Sequence, residues 1–140
     1  MVIDCTEVTT ANPKLLKDQC DMYSSYKSKI TSKDLVGVAP NGTVVFVSRL
    51  YAGSTSDKKI TEHCGVLKHF VPGDSIMADK GFLINDILPA GVTLNIPPFL
   101  ETWQFTEELV QETKRIARAR IHVERAINRI KMFTILSYIP

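Results

Sequence analysis

Cysteine is scarce in this chain and badly placed for cross-linking. Cys5, Cys20 and Cys64 are odd in number and far apart, and no CxxC spacing occurs. That pattern argues against a zinc knuckle or a disulfide framework, and a reducing compartment is the simpler expectation. Long apolar runs are missing too. None reaches membrane-spanning length, and the opening residues do not read as a basic-then-apolar secretory signal. Nor is there an excess of one charge. Seventeen Lys and Arg face fifteen Asp and Glu, a formal net charge of +2. Composition alone therefore does not mark a nucleic-acid binder. What remains is ordinary globular material, 44% hydrophobic and 23% charged over 140 residues. That length suits one core and hardly two, so a single domain over residues 1–140 is expected.

The charge that is present is unevenly placed. Between Lys114 and Lys131 lie seven cations and one carboxylate, Glu124. The rest of the chain is net acidic. The stretch Arg115-Ile116-Ala117-Arg118-Ala119-Arg120-Ile121-His122-Val123-Glu124-Arg125 thus poses a specific question: what one acid does within a basic helix.

The pattern of residues predicts the elements around it. Val2–Val8 is short and β-prone and reads as a strand, broken by Asn12-Pro13. Residues 14–29 read as a polar connection. Lys33–Val38 and Thr43–Leu50 are apolar, β-branched runs, and Pro40-Asn41-Gly42 between them marks a β-hairpin. Ile60, Cys64 and Leu67 recur at helical spacing and predict a helix over about 57–70, with caps available in Gly53–Asp57. A strand over Ser75–Asp79, a short helix near 84–88 and a strand over Val92–Ile96 follow, the last stopped by Pro97-Pro98. A long helix is expected from a Thr106 N-cap to about Met132, with Glu107 and Glu108 at its positive end and bases towards its negative end. Strands followed by alternating helices and strands give an α/β domain with a mixed sheet.

Three carboxylates stand out on this framework. Asp4 lies on an otherwise apolar strand, where a buried charge is costly unless a cation meets it. A plain alternative is that it caps a neighbouring turn. Asp79 follows Ile76-Met77-Ala78 at a strand end, just before Gly81, where α/β sheets gather their ligand sites; it equally serves to start the turn. Glu124 shares a helix face with Arg120, Asn128 and Lys131, and a surface ion pair explains it singly. Met together at one sheet edge, the three would repel one another unless cations joined them. Oxygen-only ligation suits Mg²⁺ or Mn²⁺ rather than zinc. Two such ions about 3.5–4 Å apart would serve phosphodiester displacement, and the surrounding bases would hold a phosphate backbone.

Five motifs in order carry a resemblance: Ile3-Asp4-Cys5-Thr6-Glu7; Pro40-Asn41-Gly42 with its following strand; Gly53-Ser54-Thr55-Ser56-Asp57-Lys58; Ala78-Asp79-Lys80-Gly81-Phe82; and Arg120 to Lys131. Together they resemble the DDE superfamily endonucleases, in particular the Harbinger-type transposases related to bacterial IS5-like elements. The resemblance implies an RNase H-like fold and a catalytic, metal-binding triad of Asp4, Asp79 and Glu124 holding two Mg²⁺ or Mn²⁺ ions for DNA strand cleavage and transfer. It implies phosphate contacts from Arg120 and Lys131, which keep the spacing of a Tyr-Arg-Glu-Lys signature whose Tyr position holds Ala117. Arg118 and Arg125 are further DNA-binding candidates, and Asp57, in the family's Ser-Asp motif, is an accessory candidate or a helix cap. His122 points away from Glu124 and is expected to be packed or partly exposed. Trp103 is a candidate base-stacking residue or a core residue.

The family further implies DNA as partner, no membrane, a separate DNA-binding subunit or module, and residence in the nucleus. A domain truncated at both ends, a catalytic fragment or a host-adopted derivative, is expected. The competing readings are a transposase-derived, catalytically inactive module for DNA or protein binding, and a plain α/β domain with a solvated basic helix.

Overall fold

The computed structural model describes residues 1–97, 107–134 and 138–140. Its backbone of order is the nine-residue strand β1 (Val2–Thr10), which pairs antiparallel along its length with β3 (Lys29–Val38), from Val2 opposite Val38 to Thr9 opposite Thr31. On its other side β1 meets β6 (Ser75–Met77) in parallel through Val2 and Met77, and β6 pairs in parallel with β7 (Thr93–Asn95). The far edge of β3 is shared by three short strands: β2 (Tyr23–Ser24), β5 (Tyr51–Ala52) and β4 (Val44–Val47). The strand β8 (Tyr138–Ile139) pairs with β1 at Thr9 and Thr10. The expected mixed sheet is therefore present.

Alternation along β1 and β3 divides the core. Ile3 and Leu35 face the helix α2 (Asp57–His63), packing with Ile60, Val66, Ile76, Phe82 and Ile84. Val2, Val36 and Val38 face the opposite way, onto Val123, Ala126 and Ile127 of the helix α3 (Glu107–Lys131). On α3 the buried positions Ile116, Val123, Ala126 and Ile127 fall on one stripe of the helix. Both faces of the sheet are thus covered.

The hairpin expected at Pro40-Asn41-Gly42 forms, with Gly42 at φ 86° and the Ala39 N–H donating to the Thr43 carbonyl at 2.9 Å. Several expected elements are shorter or differently placed. The helix expected over about 57–70 stops at His63, because Gly65 takes φ 82° and ends it; a 3₁₀ turn, Val66–His69, continues the chain. Ser56 caps this helix, accepting the Lys59 N–H on Oγ at 3.3 Å, so the cap is not Asp57. The short helix near 84–88 is a 3₁₀ turn, Asn85–Ile87. The polar connection over 14–29 holds the helix α1 (Leu16–Met22) and the strand β2. The Thr106 cap, Trp103 and Pro98 lie outside the described residues.

Candidate active site

The strands β1 and β6 run parallel, but one leads away to β3 and the other to β7. Their pairing stops at Val2–Met77, and β1 gains a neighbour on that side again only at Thr9. Between these points the sheet opens, at the kind of switch point where α/β sheets hold ligands. A cleft of about 670 Å³ occupies the gap. Asp4, Asp79, Arg120, Glu124, Asn128 and Lys131 all line it, and so does Asp57. Residues up to 127 positions apart in the chain, Asp4 and Lys131, are brought to one place by the sheet order.

Each carboxylate arrives by a different route. Asp4 sits on the α3-facing side of β1 by alternation with Val2, well inside the strand, so it is not a turn cap. Asp79 lies two residues beyond β6, where its carbonyl accepts the Phe82 N–H at 3.0 Å and its Oδ1 accepts the Lys80 N–H at 2.7 Å. It therefore both starts the turn and faces the cleft. Glu124 comes from α3, one turn after Arg120. The Arg120 guanidinium spans the two: Nη1 donates to Asp79 Oδ1 at 3.0 Å, and Nη2 lies 3.7 Å from Glu124 Oε1. The expected surface ion pair of Glu124 is real, but it belongs to a group that includes Asp79.

Charge in the cleft is incompletely balanced. Burial raises the Asp4 carboxyl to about 6; Arg120 and the Cys5 backbone N–H pull it down, and Asp79 and Asp57 push it up. Burial also lowers the Lys131 ammonium, with nearby Lys27 adding to the effect and Asp34, Glu7 and Asp4 opposing it. Asp34, on β3 opposite Thr6 of β1, is itself buried, its carboxyl raised by that burial and lowered by Lys131.

On the α2 side of the sheet a second grouping lines the same cleft. Lys33 Nζ lies 3.3 Å from Asp57 Oδ1 and 3.7 Å from Glu7 Oε1, and donates to the Thr55 carbonyl at 3.2 Å. Thr31 Oγ1 donates to Glu7 Oε2 at 2.9 Å. Glu7, Lys33, Tyr26 and Lys27 line the cleft but were not legible as site residues, since no local motif announces them. The register Glu7 opposite Lys33 is the signal, and it exists only once the strands are paired.

Not every expected residue gathers here. Arg118 and Arg125 are exposed and lie on the outer side of α3, away from the cleft lining. Arg118 instead borders a separate groove with Pro40 and Met77, and His122, half-buried, lies there too.

Residues 3–140 match the family described as DDE superfamily endonuclease. The chain belongs to that family. No match was found among curated proteins, and none among solved structures. The curled mixed sheet with helices on both faces is the RNase H-like arrangement of a DDE endonuclease, and no described helix is long and apolar enough to cross a membrane.

DDE endonucleases generally use divalent metals. Among the described residues no three acidic, His or Cys side chains stand close enough to chelate one ion; the positive charge between Asp79 and Glu124 is the Arg120 guanidinium. The donor chemistry nevertheless fits a hard dication. The acidic groups offer oxygen, and burial keeps the Cys5 thiol protonated.

Proposed function

We propose that this DDE endonuclease is a divalent-metal-dependent DNA endonuclease and strand-transfer domain of the Harbinger type. Asp4, Asp79 and Glu124 would hold two Mg²⁺ or Mn²⁺ ions. One observation carries the reading. One aspartate on a strand, one in the turn just beyond a strand and one helix-borne glutamate, drawn from the two ends and the middle of the chain, line one cleft at the sheet's switch point.

When bound, the dications supply an activated water or hydroxyl and neutralise charge on the leaving oxygen. The chain's own residues do the rest. Asp79 is held in place by Arg120 and by the Lys80 N–H, so its carboxylate is oriented before any substrate arrives. Arg120 is the resident counter-charge of Asp79 and Glu124. With dications held by the carboxylates, Arg120 would be free to contact the scissile phosphate, a bidentate role its planar fork suits better than Lys does. Lys131, further along α3, takes a neighbouring phosphate as a point charge. Arg118 and Arg125, on the outer side of the helix, add phosphate contacts outside the cleft. A separate DNA-binding subunit or module supplies target choice, and the nucleus is the compartment this reading implies.

The test is DNA nicking in Mn²⁺ by the wild-type chain and by Asp79→Asn. Asp79 is half-exposed, so the variant keeps its fold. Nicking by the wild type that vanishes in the variant is the expected result; equal nicking by both overturns the assignment.

A further inference from the structure

One feature of the cleft is not used by the carboxylate chemistry. The strands β2 and β3 are joined by a four-residue turn, 25–28, that brings Tyr26 and Lys27 to the cleft wall. The turn is tightly specified. Ser28 takes φ 53°, a left-handed conformation costly for a residue with a side chain. The Lys27 N–H donates to the Oγ of Ser24, itself buried, at 3.2 Å. Yet this strained turn packs its aromatic nowhere. Tyr26 is 84% exposed, and its main neighbour is the Lys27 ammonium, 5.0 Å from the ring centroid. An exposed aromatic beside a cation, held out over an acidic cleft, is unexplained by packing.

Across the cleft stands Lys131 of α3. Burial lowers the Lys131 proton affinity, and the Lys27 ammonium adds to the effect. Two ammonium groups from separate elements, facing one space, gain most from an anion placed between them. Lys131 lies seven residues past Glu124, about 10 Å along the helix axis.

The geometry points to a single-strand subsite at this end of the cleft: Tyr26 stacks on an unpaired base while Lys27 and Lys131 hold the adjoining phosphate. The inference rests on the reading of the cleft as a DNA site, and it adds a preference for a nucleic-acid end or flap whose bases are unpaired. Stacking on an exposed aromatic is sequence-tolerant, so the subsite would read strandedness and not sequence.

The test measures binding by fluorescence anisotropy without divalent metal, where no cleavage occurs. The probes are a blunt duplex and the same duplex with a short unpaired end. The wild type is expected to favour the unpaired end by about five- to hundredfold, the usual range for one stacked base. Tyr26→Ala should erase that preference and Tyr26→Trp should keep it; neither change touches the core. Lys27→Ala should weaken both probes and lower the salt slope by about one phosphate. A wild type that does not bind, or binds both probes alike, overturns the subsite, and so does an unchanged preference in Tyr26→Ala. Mn²⁺-dependent nicking of a blunt duplex by the wild type would then still uphold the endonuclease reading, so the two failures are distinguishable.

Discussion

Lys33 and Arg120 make an instructive pair. Each cation stands between two carboxylates, and both groupings line the same cleft from opposite faces of the sheet. Their surroundings differ. Around Lys33 the side chains of Glu7 and Asp57 are 8% and 31% exposed; around Arg120 those of Asp79 and Glu124 are 49% and 53% exposed. Buried ions must be matched, because an orphaned partner cannot recover its hydration. Exposed ions can trade one counter-charge for another at little cost. The Lys33 grouping is therefore a clamp that ties β1, β3 and the start of α2 together. The Arg120 grouping is an exchangeable one, suited to giving up its cation.

Removing each cation in turn is the sharpest way to break the comparison. Lys33→Met leaves Glu7 and Asp57 unmatched and should cost on the order of 3 kcal/mol of stability. Arg120→Met, with its partners half in water, should cost less than about 1 kcal/mol while removing nicking. Thermal or denaturant melts of both variants check this, and equal losses would erase the distinction between clamp and exchangeable pair.

A smaller effect is expected from Asp4, which belongs to the exchangeable side. Its folded carboxyl titrates at about 6, above the ordinary value of 3.8. Between about pH 4 and pH 6 the native state thus holds a proton that the unfolded chain has released, and stability falls as pH rises. In the metal-free protein, Asp4→Asn should gain over the wild type across that window, by on the order of 1–2 kcal/mol allowing for solvent screening. The gain should be absent below about pH 4. A pH-independent difference in melting would contradict the burial of the Asp4 carboxyl.

Much of this site was legible in the residues themselves. The helix face shared by Arg120, Glu124, Asn128 and Lys131 follows from helical periodicity alone, and all four do line the cleft. Asp79 was marked by an apolar strand running into Lys80-Gly81. The hairpin at Asn41-Gly42 follows from turn chemistry. What stayed hidden depends on long-range register or on turns without their usual residues. Glu7 and Lys33 meet because β1 and β3 pair in one register, which no local pattern states. The turn that presents Tyr26 has Ser28 at positive φ where Gly or Asn is the common choice, so the β2–β3 hairpin read as a featureless connection. Arg118 and Arg125 were chosen for charge, and the same helical periodicity places them on the outer side of α3.

The least effect is expected from Lys131→Ala. One phosphate contact fewer should lower the salt dependence of DNA binding by about one unit of slope, with little change in stability. An unaltered slope would put Lys131 off the DNA path and leave Arg120 as the cleft's phosphate contact on α3.

The central claim is that Asp4, Asp79 and Glu124 form one exchangeable site for dications. Calorimetric titration of Mn²⁺ into the wild-type chain and into Asp79→Asn tests it most directly. Binding by the wild type that is lost in the variant is the predicted result. A folded wild type that takes up no Mn²⁺, or a variant that binds it equally well, would contradict the account.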